Sequence, residues 1–99
     1  MRVSVIIPFR NINPVIEESI ESVKKQRYRD VEVIAVSDRI KPEISGVKGV
    51  FCPDCKGVGA KRNAGVKVST GDVLLFLDSD CMCLKDSIEK LIDVFDETK

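Results

Sequence analysis

Two aspartates separated by one residue follow the most apolar run of this sequence. Val73 to Leu77 are five consecutive large apolar residues, and Asp78, Ser79 and Asp80 come directly after them. Such a run is typical of a central strand that is buried on both faces of a parallel sheet. Open α/β sheets bind ligands at the carboxyl ends of their strands, and Mg²⁺ or Mn²⁺ prefers carboxylate oxygens. Asp80 and Asp78 are therefore candidate ligands of a cation that neutralises a diphosphate, unless they only solvate the strand end and cap the next helix.

The composition excludes several classes of protein and of active site. Ninety-nine residues predict one small domain, residues 1–99, in which 16 basic residues balance 16 acidic ones. A neutral chain has no global field that attracts nucleic acid or anionic membranes. The sequence has no histidine, which removes His-based triads, His metal ligands and imidazole bases. No apolar run is long enough to span a bilayer and no signal segment opens the chain, so we expect a cytoplasmic protein.

Strand and helix patterns alternate along the chain. Apolar and β-branched runs predict strands at residues 3–7, 31–36, 48–52 and 72–77. Helical spacing of apolar residues predicts helices at residues 14–26 and 58–68 and a closing helix capped by Asp86 or Ser87. We expect Pro8 to end the first strand, Asn13 to cap the first helix, and residues 41–46 to form a loop. This order predicts an α/β fold, with a Rossmann-like parallel sheet of about four strands and flanking helices.

The carboxyl ends of the predicted strands should meet at one edge of the sheet. Polar residues follow most of these ends: Pro8-Phe9-Arg10-Asn11, Asp38-Arg39, Cys52 and Asp78-Ser79-Asp80. Side chains of both charges thus converge on one rim, which suits a ligand with phosphates and a hydrogen-bonding ring.

Four segments of the chain, taken together, resemble the family 2 glycosyltransferases. The segments are VSVIIPFRN (residues 3–11), VIAVSD (33–38), GAKRNAG (59–65) and LFLDSD (75–80), and they occur in the order seen in that family. The resemblance implies a GT-A fold and a nucleotide-diphosphate sugar that binds together with Mg²⁺ or Mn²⁺. It also implies a donor-binding set, which consists of Pro8, Phe9, Arg10, Asp38, Lys61, Arg62, Asp78 and Ser79.

The resemblance assigns a role to most members of this set. Pro8 and Phe9 would wall the base pocket, and Asp38 would accept a hydrogen bond from the base. Arg62 would lie near the base and the diphosphate. Lys61 stands where alanine is common, and its charge would reach the phosphates or face water.

The DxD motif of the family corresponds to Asp78-Ser79-Asp80. In that motif Asp80 would be the principal metal ligand, and Asp78 would bind the ribose or the outer shell of the ion.

The chain also departs from the family pattern. Ser37 replaces the first of two aspartates that usually follow the second strand, and the helix after that strand is shortened to a loop. Family members continue for at least as long again beyond the point that corresponds to Lys99, with an acceptor-binding half that supplies the catalytic carboxylate. We find no candidate for that base, so the catalytic residue is unknown and the chain resembles the donor-binding half of an inverting enzyme. Its expected partners are a nucleotide-diphosphate sugar and either a second copy or an acceptor domain; the alternative is a non-catalytic nucleotide-sugar-binding or regulatory module.

The four cysteines support an alternative from another class of protein. Cys52 and Cys55 have the spacing of zinc knuckles, and Cys81 and Cys83 form a second pair, so a small zinc-binding module with four thiolates is conceivable. Against it, the second pair is tighter than a usual knuckle, and the two pairs follow strands that we expect at opposite edges of the sheet. We expect thiols without a disulfide.

Overall fold

The computed structural model describes the backbone of residues 1–97 and the side chains of residues 1–95. Strands and helices alternate in the predicted order. The elements are β1 (Val3–Phe9), α1 (Pro14–Lys24), β2 (Val31–Ser37), β3 (Lys48–Phe51), α2 (Gly57–Val68), β4 (Val73–Phe76) and α3 (Ser87–Glu97). Between β2 and β3 the chain runs through a loop, as predicted for residues 41–46. Within residues 1–97, no helix is both long enough and apolar enough to cross a bilayer.

The four strands form one parallel sheet in the order β3-β2-β1-β4, which confirms the predicted fold class. The prediction that Pro8 ends the first strand is wrong, because Pro8 pairs opposite Val36 within β1. The carbonyl of Ile6 accepts a hydrogen bond from Leu77 just beyond β4, and alternate residues of a strand direct their polar groups to the same side. Proline has no backbone N–H, and at Pro8 this group would point past the end of β4. No residue of β4 pairs with Pro8, so the missing donor breaks no hydrogen bond between these strands.

The position of β4 corrects the prediction of a central strand buried on both faces. Within the described residues β4 is an edge strand whose one neighbour is β1. Val73 is buried and Leu75 packs against the core, whereas Leu74 and Phe76 on the opposite face are 39% and 43% exposed. A continuous apolar run places apolar side chains on both faces of a strand, but it does not show which element covers each face.

Two hydrophobic layers hold the helices to the sheet. On one face, β1, β2 and β4 pack against α1 and α3 through a large cluster that includes Val5, Ile7, Ile20 and Ile88. On the other face, a smaller cluster of Ile6, Ile34 and Val36 lies under α2. Gly65 permits this close packing, because a Cβ at that position would lie 2.5 Å from Cγ2 of Ile6.

Helix α1 begins as the sequence predicts, with Asn13 as its cap. Its side-chain Oδ1 accepts a hydrogen bond from the N–H of Ile16 at 3.0 Å. The cap satisfies one of the free N–H groups of the first turn, and Pro14 occupies a position where no donor is needed.

Polar residues of α1 hold the segment that follows β4. The hydroxyl of Ser19 donates to the carbonyl of Ser79 at 2.9 Å, and the hydroxyl of Ser22 accepts from the N–H of Cys83 at 2.9 Å. Oε1 of Gln26, a buried residue, accepts from the N–H of Ile88 at 3.1 Å. These bonds position the loop that carries Asp78 and Asp80, although no regular secondary structure supports it.

Candidate functional site

A cavity of about 430 Å³ lies at the carboxyl edge of the sheet. Because all four strands are parallel, the chain leaves each of them at this edge. Five members of the predicted donor-binding set line the cavity: Pro8, Phe9, Arg10, Lys61 and Ser79. The other three are not among the lining residues: Asp38 pairs with Lys61, and Arg62 pairs with Asp78, which precedes Ser79.

Lys61 is buried and pairs with Asp38, a partner that the sequence did not suggest. Its ammonium lies 3.0 Å from Oδ1 of Asp38 and donates to the carbonyl oxygen of Phe9 at 3.2 Å. Only 5% of Lys61 is exposed, so the alternative in which its charge faces water is wrong, and the alternative in which it reaches the phosphates stays a prediction. The hydrogen bond from Lys61 and the positive charges of Lys61 and Arg10 lower the pKa of Asp38, although burial opposes this. Asp38 is therefore ionised at neutral pH.

Ser37 fixes the turn that presents Asp38. Its hydroxyl donates to the carbonyl oxygen of Arg10 at 2.6 Å and accepts from the N–H groups of Arg39 and Ile40 at 3.0 and 3.2 Å. A serine side chain that accepts from the backbone two residues ahead stabilises a turn of this kind. The residue that departs from the family pattern thus joins the ends of β1 and β2.

Arg62 follows Lys61 on α2. Its side chain contacts Asp78 of the DxD segment, whereas that of Lys61 contacts Asp38. Its guanidinium donates to Oδ1 of Asp78 at 3.1 Å and lies 5.5 Å from the ring centroid of Phe76. The side chain remains 38% exposed, and that of Asp78 59%. Arg62 therefore retains donors that an added anion can reach.

Asp78, Asp80 and Cys81 form a small cluster of metal-ligating groups. One ligand atom from each residue lies within 4.8 Å of the others, and all three residues are exposed. Partial desolvation and the nearby charges of Asp80 and Asp78 raise the pKa of the Cys81 thiol, which donates to Oδ1 of Asp80 at 3.7 Å. The two carboxylates of this cluster suit a hard cation, which prefers oxygen ligands.

The cysteines do not form the four-thiolate site that the sequence left open. Cys52 and Cys55 are joined by a disulfide, whereas Cys81 and Cys83 are free thiols. The first pair follows β3 and the second follows β4, which are the opposite edges of the sheet. The alternative of a zinc module and the expectation that no disulfide forms are both wrong.

The disulfide closes the turn that leads into α2. The turn also holds a bond from the N–H of Cys55 to the carbonyl of Cys52 at 3.1 Å. Helix α2 has no side-chain cap, and Gly57, its first residue, takes a positive φ of 83° that favours glycine. The covalent link therefore helps to fix the start of α2, whose first turn lines the cavity.

Sequence reasoning missed part of the cavity wall. The missed residues come from the cap of α1 and from the first turns of α1 and α2: Asn13, Ile16, Gly57 and Val58. Asn11, which the sequence placed at the rim outside the donor-binding set, also lines the cavity. The polar residues after β1 and the Lys56–Gly57 break before α2 were the available signals, because loops at the carboxyl edge of a parallel sheet carry ligand contacts.

Comparison with known sequences gives a consistent result. The model of the family described as Glycosyl transferase family 2 matches residues 4–99. An uncharacterized glycosyltransferase of Haemophilus influenzae is 30% identical over 102 residues, which cover 92% of this chain and 41% of that protein.

Solved structures of one protein have the same fold. The crystal structure of S. aureus TarS 1-349 in complex with UDP superposes with a TM-score of 0.85 at 27% identity, covering 98% of this chain and 32% of that one. The complex of TarS 1-349 with UDP-GlcNAc gives a TM-score of 0.77 at 25% identity, with the same coverage. The chain thus spans less than half of the H. influenzae relative and about a third of TarS 1-349.

Proposed function

Because the chain belongs to glycosyl transferase family 2, we propose that its carboxyl-edge cavity binds a nucleotide-diphosphate sugar as the donor for glycosyl transfer. One observation carries the proposal. Phe9, Lys61 and Ser79 of the DxD loop are far apart in the sequence, yet they line the same cavity at one edge of the sheet. The UDP and UDP-GlcNAc complexes of TarS support a uridine nucleotide as the first ligand to test.

The donor-binding residues divide between the two ends of such a ligand. Pro8 and Phe9 offer an apolar wall for the base, and Asp38 offers a carboxylate at the neighbouring strand end. Arg62 and Arg10 offer positive charge for the diphosphate, because a guanidinium forms strong charge-assisted bonds with phosphate oxygens. The exposure of Arg62 supports this assignment.

The family resemblance implies a divalent cation, and the residues present fit one. Asp80 and Asp78 would hold Mg²⁺ or Mn²⁺, since a carboxylate oxygen of one lies within 4.8 Å of an oxygen of the other and both residues are exposed. Cys81 is not a ligand in this proposal because Mg²⁺ and Mn²⁺ prefer oxygen ligands to sulfur. A bound cation would supply positive charge that stabilises a departing diphosphate.

The acceptor side of the reaction requires a surface and a base that we do not assign to this chain. We propose that an acceptor-binding half covers the exposed face of β4, where Leu74 and Phe76 are half-exposed beside the DxD loop. With that half in place, a carboxylate would deprotonate the acceptor hydroxyl while this chain holds the donor. Alone, this chain would bind the donor and catalyse little transfer.

The test is a titration of the protein with UDP in the presence and absence of Mn²⁺. In the wild type we expect Mn²⁺ to raise the affinity by about tenfold or more, because the cation offsets the repulsion between two carboxylates and a polyanion. Asp80→Asn removes one charge and one ligand but keeps the shape, so this dependence should collapse while the melting temperature changes little.

Asp93→Asn on α3 is the matched control, because Asp93 is exposed and distant in sequence from the DxD loop. It should bind UDP as the wild type does, with and without Mn²⁺. The proposal fails if no nucleotide diphosphate binds. If Asp80→Asn instead lowers the stability and leaves binding unchanged, Asp80 has only a structural role in its loop and the metal assignment is wrong.

A further inference from the structure

The Cys52–Cys55 disulfide ties the start of α2 to the carboxyl edge of the sheet. Cys52 is held on the sheet side, because its N–H donates to the carbonyl oxygen of Ser37, the last residue of β2, at 2.8 Å. On the other side, Cys55 leads through Lys56 into α2, which has no side-chain cap. The covalent bond thus joins a fixed point of the sheet to a helix end that lacks a cap of its own.

Packing does little to hold the first turn of α2. Among the described residues, no atom beyond the adjacent chain lies within 4 Å of a Cβ built at Gly57 or at Gly59, and both glycines are exposed. The buried residues of α2 are Lys61 and Gly65, which lie further along the helix. The position of the first turn therefore depends on how the segment before it is held.

The disulfide contributes more to this local structure than to the stability of the whole fold. Its two cysteines are separated by 3 positions in the sequence, and a link that closes so short a loop removes little entropy from the unfolded chain. Pro53 and Asp54 between them are exposed, Cys52 is partly exposed, and Cys55 is 8% exposed. A reductant can therefore reach the bond from the side of Cys52 while the core stays folded.

We propose, building on the nucleotide-sugar site, that the Cys52–Cys55 pair is a reversible redox site, reduced by a dithiol, that controls the wall of the cavity and hence ligand binding there. A thiolate of the dithiol attacks Sγ of Cys52, forms a mixed disulfide and releases Cys55 as a thiolate that takes up a proton. The second thiol of the reductant then displaces Cys52. Two electrons and two protons thereby pass to the two cysteines, and the reductant leaves as its own disulfide.

Reduction acts on the cavity through the first turn of α2. Gly57 and Val58 line the cavity, and Lys61 lines it one turn later. With the bond open, the turn keeps the hydrogen bond from the N–H of Cys55 to the carbonyl of Cys52 but has no covalent link. A fraction of the molecules then loses the first turn and part of the wall. A ligand binds only the molecules in which the wall is formed, so its apparent affinity falls by that fraction.

The experiment compares UDP binding to the oxidised and the reduced protein by calorimetric titration with Mn²⁺. One sample is reduced with dithiothreitol, which is then removed under nitrogen. Thiol counting should find the two free thiols in the oxidised protein and all 4 cysteines in the reduced one. The oxidised protein should bind UDP about threefold to tenfold more tightly than the reduced one. Reoxidation with glutathione disulfide should restore the affinity.

Cys52→Ser/Cys55→Ser is the matched variant, because it removes the disulfide and keeps both free thiols, Cys81 and Cys83. It should bind UDP as the reduced wild type does, and treatment with dithiothreitol should not change its affinity. If this variant does not fold, the two forms of the wild type decide the question.

Hydrogen exchange followed by NMR reports on the helix without any nucleotide. In an α-helix the N–H groups of Lys61 and Arg62 donate to the carbonyl oxygens of Gly57 and Val58, so loss of the first turn exposes them to water. Their exchange should be at least about threefold faster in the reduced protein. Exchange at Val66, which packs against the cluster on the sheet, should not change.

The outcomes separate this inference from the proposed function. If neither form binds a nucleotide diphosphate, the proposed function fails and hydrogen exchange decides this inference: faster exchange at Lys61 and Arg62 on reduction supports it, and unchanged exchange overturns it. If both forms bind UDP equally, the inference is overturned and the nucleotide site stands. A redox effect that persists in the double-serine variant also overturns it, because the effect then arises from Cys81 or Cys83. Complete unfolding on reduction overturns it as well, because the disulfide is then structural.

Discussion

Neighbouring basic residues on α2 hold the two acidic strand ends of the site. Lys61 pairs with Asp38 after β2, and Arg62 pairs with Asp78 after β4. Successive residues of a helix point about 100° apart, so one helix lying over the sheet can reach two different strand ends. Each carboxylate is thus partly neutralised before any ligand arrives, and this reduces its repulsion of a polyanion.

At the opposite edge of the sheet, the carboxylate of Glu32 is also held by donors from neighbouring elements. Burial alone would raise its pKa, but bonds from the Ser4 hydroxyl, from the N–H and hydroxyl of Thr70, and from Lys48 lower it to about 2. Its usual value is 4.5. The carboxylate connects β1, β2, β3 and the segment before β4, so its ionised form stabilises the fold.

We predict that Glu32 stabilises the protein at neutral pH and loses this effect in acid. The folded pKa lies below the unfolded one, so the contribution is complete above 4.5 and declines as the pH falls toward about 2. The shift sets an upper limit of about 3 kcal/mol. Glu32→Gln should lower the free energy of unfolding at neutral pH, and its difference from the wild type should shrink by about half or more by pH ~3 in urea melts.

Glu43→Gln is the control for this prediction, because Glu43 is exposed and lies in the loop before β3. It should follow the wild type at every pH. A difference between the wild type and Glu32→Gln that stays constant with pH would show that the carboxylate contributes by shape and not by charge.

At the scale of elements, the packing of α2 on the sheet decides the geometry of the site. The helix carries Lys61 and Arg62, and it approaches β1 and β2 closely because Gly65 lacks a Cβ. Glycine has low helix propensity, so its cost here is offset by the contact that it permits with Ile6 and Val36. A second glycine in the same helix, Gly59, has no neighbouring atom within 4 Å of an added Cβ.

The two glycines give an internal comparison. Gly65→Ala should destabilise the protein by about 1–3 kcal/mol, because the added methyl group overlaps Ile6 and pushes α2 outward. Gly59→Ala should stabilise it by about 0.5–1 kcal/mol, because alanine favours the helix and meets open space. Chemical denaturation of both variants measures the effects. Equal effects of the two substitutions would mean that α2 does not pack against Ile6 as described.

At the scale of the whole molecule, the apolar surface is unevenly distributed. Leu74 and Phe76 on β4 are exposed on one face, and Met82 and Leu84 in the next segment are 63% and 75% exposed. An edge strand also presents unpaired backbone groups along its free side. The formal net charge of zero provides no long-range repulsion between copies.

We therefore predict that the isolated chain self-associates through β4 at high concentration, where no acceptor-binding half covers it. Leu74→Thr keeps strand propensity and removes an exposed apolar group, so it should shift the population toward the monomer in sedimentation experiments. Val15→Thr on α1, where Val15 is 50% exposed, is the control and should associate as the wild type does. A wild type that remains monomeric at high concentration would contradict the prediction.

Local pattern was sufficient for the elements and for much of the carboxyl edge. Hydrophobic periodicity and capping residues predicted the order of strands and helices, and Asn13 caps α1 as expected. Because consecutive strands joined by helices pair in parallel, the residues after each strand had to reach one edge. The sequence alone therefore placed Phe9, Asp38 and Asp78 at that edge, while their roles toward a ligand remain predictions.

The partners of those residues were decided only by the tertiary structure. Whether β4 lies at the centre or at the edge depends on which strands pair, and an apolar run does not carry that information. The contact between Lys61 and Asp38 depends on how α2 lies over the sheet, and Gly65 permits the close approach of that helix. The Cys52–Cys55 disulfide depends on the geometry of one tight turn. Contacts of this kind join distant elements or depend on exact backbone positions, so they follow from packing in three dimensions and not from periodicity along the chain.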